Sequence, residues 1–169
     1  MIIKMKKAFF ILALIFLSCN DPHPQDTTTM SKPDDKTSYE LTKIFSASPE
    51  KVFNAFVDES ILKKIWGVSE IKIDARAGGT ARALLQIGAD NWNFTLTYKE
   101  VIPNEKLRWI VHFDRFPAKE TRATLLFRKV ETGTELTLRQ ENFESPQERD
   151  DNKKANEQGL RTLDSLICN

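Results

Sequence analysis

Two cysteines, two histidines and six glycines in 169 residues leave little material for several kinds of site. One histidine, His23, sits in a proline-rich stretch, so His112 alone falls in a segment with folding potential. A lone histidine and one terminal cysteine, Cys168, do not supply the ligand set a metal needs, and no metal site is expected. No glycine-rich phosphate loop follows a strand, because Gly78-Gly79 fits the turn of a hairpin, and no cofactor is expected. Charge of one sign is also missing: 25 basic residues stand against 24 acidic ones, a net of +1. That balance argues against nucleic acid, which demands a basic excess or patch. Finally, the longest apolar run, Ala8 to Leu17, rises only about 15 Å as a helix, roughly half the core of a bilayer. So short a run is not expected to be a stable membrane-spanning anchor.

What that run does have is a setting. Lys4, Lys6 and Lys7 precede it and the small Ser18 follows, the pattern of a secretory signal. Phe16-Leu17-Ser18-Cys19 resembles the lipobox of bacterial lipoproteins, with Phe16 where Leu is commonest. The resemblance implies that residues 1–18 are removed and that Cys19 becomes the acylated first residue. It implies too a membrane anchor in the cell envelope, on the periplasmic or outer-membrane side. A plain secretory signal with an incidental cysteine is the alternative. Loss of 1–18 takes three lysines and no acid, turning the balance to −2. With Cys19 in a thioether, Cys168 has no partner, so packing rather than a disulfide must hold the fold. Residues 19–37 carry three prolines and almost nothing apolar. They cannot offset the entropy of ordering and read as a disordered tether, on the order of 25 Å long as a flexible coil.

Residues 38–169 read as one domain. Tyr39 to Phe45 is a first strand. Ser48-Pro49-Glu50 opens a short helix carrying Val52, Phe53 and Phe56, and Asp58 caps a second one that stops at Gly67. The period then changes to two. Strands follow at 71–73, 81–87, 92–98, 107–113, 121–130 and 135–143, with Gly78 and Gly79 in a turn where both permit positive φ. Trp92, Phe94, Leu96 and Tyr98 share one face, as do Leu107, Trp109, Val111 and Phe113. Such alternation implies an antiparallel sheet with one covered face. The cover is a helix from Ser145-Pro146-Gln147-Glu148 to about Ile167. Its inward line through Asn152, Ala155 or Asn156, Gly159 and Leu163 has little bulk. Gly159 either lets the helix approach the sheet or leaves room for a ligand.

This order of elements resembles the helix-grip fold of the START-like (SRPBCC) superfamily, an α+β class in which a curved antiparallel sheet grips a long C-terminal helix. Within it, the chain resembles the family named for the activator of the heat shock protein 90 ATPase. The stretches that carry the likeness are residues 47–56, 74–79, 98–103 and 133–136. Leu160 departs from it, since the family usually has tryptophan after the glycine. The resemblance implies a cavity between sheet and helix, which superfamily members use for lipids, sterols, polyketides or plant hormones, and some for catalysis. It does not imply the headline activity here, because a protein beyond the inner membrane cannot meet a cytosolic ATP-driven chaperone.

Chemistry is sparse. His112 and Asp114 share a face and could pair as base and orienter, but Trp109, Val111 and Phe113 claim the opposite, covered face. Cys168 lacks a charged activator at helical spacing. No catalytic residue is therefore assigned. The candidate ligand-binding set is Trp66, Trp92, Phe94 and Trp109 as aromatic lining, with Gln140, Asn152, Asn156 and Gly159 as polar or open positions. The aromatics could equally be core. Gln140 is in phase with Leu136 and Leu138, points inward, and needs a hydrogen-bond partner from Asn152, Asn156 or a ligand. The expectation is a membrane-tethered, non-catalytic carrier of a small apolar or amphipathic ligand. The alternatives are a protein-interaction or envelope-stress module with a filled cavity, and an enzyme of the cyclase or hydrolase type.

Overall fold

A computed structural model describes residues 36–87 and 90–168, apart from the Ile87 side chain. The expected signal, the expected acylation site Cys19, His23 and nearly all of the expected tether lie outside the described residues. Seven strands form one antiparallel sheet in the order β1-β7-β6-β5-β4-β3-β2. They are β1 (Ser38–Phe45), β2 (Val68–Ile73), β3 (Thr80–Ile87), β4 (Asp90–Ile102), β5 (Lys106–Phe113), β6 (Phe116–Val130) and β7 (Gly133–Glu141). Two short helices, α1 (Pro49–Ala55) and α2 (Glu59–Trp66), follow β1, and α3 (Pro146–Ile167) closes the chain. The architecture is the helix-grip fold.

The helix boundaries follow from capping chemistry. Ser48 Oγ accepts from the Lys51 amide at 3.2 Å, and Asp58 Oδ1 from the Ile61 amide at 2.9 Å. Ser145 Oγ accepts from the Glu148 amide at 3.2 Å, with Pro146 at the first turn. The left-handed Gly67 ends α2. At the β2–β3 turn the two glycines serve different ends. Only Gly78 has a positive φ. Gly79 is needed for space, since a Cβ there would lie 2.1 Å from the Asp74 carbonyl oxygen.

Residues opposite each other in an antiparallel ladder share a face, so the register builds rows across the sheet. One row runs Tyr39, Gln140, Ala123, Trp109, Tyr98. The next runs Thr121, Val111, Leu96, Ala81, and a third Phe113, Phe94, Ala83, Ile71. These rows form the concave face. Irregularities at Val68/Glu70, Tyr98/Glu100 and His112/Phe113 interrupt the ladder where the sheet curves. One end of the hollow is packed solid: Phe53 and Phe56 meet Phe127 edge-on, with centroids 5.4 and 5.8 Å apart. Leu62, Leu136 and Leu163 are fully buried nearby, and each such side chain contributes about 1.5–3 kcal/mol. The other end is not packed solid.

Candidate ligand-binding site

The opposite end of the concave face holds a cavity of about 490 Å³, a volume suited to a drug-sized ligand. Its sheet wall includes Leu96, Trp109, Val111, Thr121 and Ala123. Its roof comes from α3 through Asn152, Ala155, Asn156, Gln158 and Thr162. Lys64, Ile65 and Trp66 of α2 form the flank. The volume exists because the sheet contributes a small residue, Ala123, between Trp109 and Gln140, while Asn152, Ala155, Asn156 and Thr162 of α3 above it are short. The aromatics pack on one another where the α2 flank meets the sheet wall. Trp66 meets Trp109 edge-on at 6.4 Å and Phe94 at 6.2 Å, and Phe94 meets Phe113 at 5.5 Å.

Of the sequence-derived set, Trp66, Phe94, Trp109, Gln140, Asn152 and Asn156 all line this cavity. Trp92 and Gly159 do not, which corrects the sequence reading. Trp92 is on the expected face but beyond the cavity, between Phe113 and Phe116, with the Arg115 guanidinium 5.0 Å over its ring. Gly159 meets neither sheet nor ligand space. It faces α2, where a Cβ would stand 3.0 Å from the Ile65 carbonyl oxygen.

The polar element is a cluster of four side chains. Tyr39 Oη lies 2.5 Å from Gln140 Oε1 and 2.6 Å from Asn152 Oδ1, and can donate to one of them at a time. Asn156 Nδ2 donates toward Tyr39 Oη at 2.9 Å, Asn152 Oδ1 at 2.9 Å and Gln140 Oε1 at 3.1 Å. Burial, opposed by the Asn156 hydrogen bond and helped by the Glu157 carboxylate, pushes the Tyr39 phenol far above its ordinary value. It stays a neutral donor at any physiological pH. Tyr39 and Ala123 are among the residues that sequence reading missed. Ala123 left a faint signal, as the small member of the inward series Thr121, Ala123, Leu125, Phe127. Tyr39 left none, since its partners lie 101 to 117 residues away.

His112 lies on the opposite face, facing Thr95 and Glu120 in the register. Among the described lining residues there is no histidine, cysteine or carboxylate. Cys168 is half-buried, and burial together with the Asp164 carboxylate pushes its thiol up, away from the reactive thiolate. Among the described residues no group of three His, Cys, Asp or Glu could hold a metal ion.

A family model described as activator of Hsp90 ATPase homolog 1-like protein matches residues 46–167. The chain belongs to this family. Its fold also resembles a solved structure from Chromobacterium violaceum, at TM-score 0.69 and 24% identity over 79% of this chain and 99% of that one. A Nitrosomonas europaea structure matches at TM-score 0.66 and 19% identity, over 81% and 97% of the two chains. A Plasmodium falciparum protein described as an HSP90 activator matches at TM-score 0.63 and 22% identity, over 78% and 96%. At these identities the likeness concerns the fold. No curated protein matches the sequence. In this member of the Hsp90 ATPase activator-like family, then, the shared scaffold surrounds a cavity whose lining must be read from its own residues.

Proposed function

We propose that the domain is a non-catalytic carrier of a small apolar or amphipathic ligand, held at the cell envelope by a lipid on Cys19. The observation that supports it is the open cavity beneath α3, with an aromatic wall on one side and a hydrogen-bonding cluster on the other. A ligand entering it exchanges water contact for Trp66, Trp109 and Phe94, at about 0.8 kcal/mol for each methylene buried. The cluster at Gln140 then fixes its orientation.

The anchoring rests on the basic flank, the ten-residue apolar run and Ser18-Cys19. No described helix is long and apolar enough to cross a membrane, so attachment by the lipid is the route this reading requires. Native mass spectrometry of the purified protein is expected to reveal a bound small molecule released by organic solvent. In fractionated bacteria the protein is expected with the membranes, and its Cys19→Ala variant in the soluble fraction. A variant that remains in the membranes would defeat the anchoring half of the proposal.

A further inference from the structure

The cluster around Gln140 is lopsided in its hydrogen-bonding groups, and the imbalance points at the cavity. Asn156 Nδ2 lies 3.2 Å from the backbone carbonyl of Asn152, a group that can only accept. This fixes which end of the Asn156 amide faces the centre. Gln140 and Asn152 must then present their oxygens to that nitrogen, as their 3.1 and 2.9 Å contacts record, because two amide nitrogens would repel. The NH₂ groups of Gln140 and Asn152 are consequently turned away from the cluster. Among the described residues neither has an acceptor, while both residues line the cavity.

Charge is the second half of the argument. Among the described residues the lining holds no carboxylate, and its single cation, Lys64, is an exposed residue of α2 rather than part of the cluster. The ionised group that acts on Tyr39 is Glu157, which is negative. An anion seated against these amides would lose its hydration without gaining a counter-ion, which is costly in an apolar cavity. A neutral acceptor loses far less and gains the same N–H donors.

We infer that the cavity selects uncharged amphiphiles whose head group accepts hydrogen bonds, such as a ketone, ester or amide carbonyl, over carboxylates of the same chain length. The inference rests on the carrier reading above and narrows it to a head-group chemistry. Gln140 Nε2 and Asn152 Nδ2 are the donors, and Trp109, Trp66 and Phe94 take the apolar tail.

The test titrates the purified, delipidated protein with methyl nonyl ketone, undecanoate and undecane in mildly alkaline buffer, where the acid is ionised. The ketone is expected to bind about tenfold more tightly than undecanoate. Gln140→Met and Asn152→Leu are each expected to weaken the ketone about fivefold and leave undecane unchanged. Undecanoate binding as tightly as the ketone overturns the head-group inference and leaves the carrier reading standing. Ketone binding that survives both substitutions overturns the assignment of the donors. Failure of all three probes overturns the carrier reading and this inference with it.

Discussion

Gly159 of α3 lies directly against the Ile65 carbonyl of α2, where a Cβ would stand 3.0 Å from the oxygen. This contact lets the two helices close on one another at one point. Ion pairs hold α3 on either side of it. Lys43 binds Asp164 at 2.9 Å toward the C-terminus, and Lys119 binds Glu148 at 3.0 Å in the first turn. Between these fixings Asn152 and Asn156 span the cavity. Leucine at 159 would force α2 and α3 apart or push its side chain into Ile65. Gly159→Leu is expected to destabilise the domain by about 2 kcal/mol despite its better helix propensity. Chemical denaturation should record a lower midpoint with an unchanged slope.

Tyr98 gives the opposite expectation. Its ring is fully buried beside Trp109, and among the described residues its hydroxyl has no hydrogen-bond partner. Removing an unsatisfied buried hydroxyl relieves a desolvation penalty, so Tyr98→Phe is expected to stabilise by about 1 kcal/mol. Thermal melting of the two proteins at neutral pH checks the sign.

The same tyrosine sets an alkaline limit. Burial pushes its phenol up to about 12 from an ordinary 10.0, and burial moves Tyr39 in the same direction. Both groups are neutral when protonated, so the unfolded chain loses their protons first. Stability attributable to them is complete below about pH 10, the ordinary tyrosine range, and falls as pH rises beyond it. A melting series through that range should steepen downward in the wild type and less so in Tyr98→Phe.

Tyr39→Phe tests the cluster as a structural unit. Its hydroxyl both accepts from Asn156 and donates to Gln140 or Asn152. Loss is expected to cost about 1–3 kcal/mol, since part-buried amide groups are left short of partners. A neutral effect in equilibrium unfolding would mean that water replaces the hydroxyl freely.

How far the molecule could be read from its letters follows from the range of each signal. Caps at Ser48, Asp58 and Ser145 and the stop at Gly67 are local, and all four mark the ends they suggest. Alternation in 92–98 and 107–113 assigns the inward face correctly, and six of the eight candidate lining residues reach the cavity. What alternation cannot give is position along that face. Trp92 is in phase with Phe94 yet lies past the cavity, because register and curvature decide where the hollow ends. Gly159 shows the matching limit for helices: its shortness signals a close neighbour without saying that the neighbour is α2. Tyr39 is invisible for the same reason, since the β1–β7 pairing that sets it opposite Gln140 joins the two ends of the domain.

The central claim is that the space beneath α3 is occupied by a ligand in the working protein. Ala123, 1% exposed and flanked by Trp109 and Gln140 in its row, is the place to close that space. Ala123→Phe projects a ring into the cavity and should leave stability within about 1–2 kcal/mol of the wild type, because the volume is already there. The decisive measurement is ligand occupancy by native mass spectrometry, on wild type and Ala123→Phe purified side by side. A bound small molecule on the wild type that is lost from a folded Ala123→Phe protein is the predicted result. Identical spectra from the two folded proteins, whether both empty or both loaded, would contradict it.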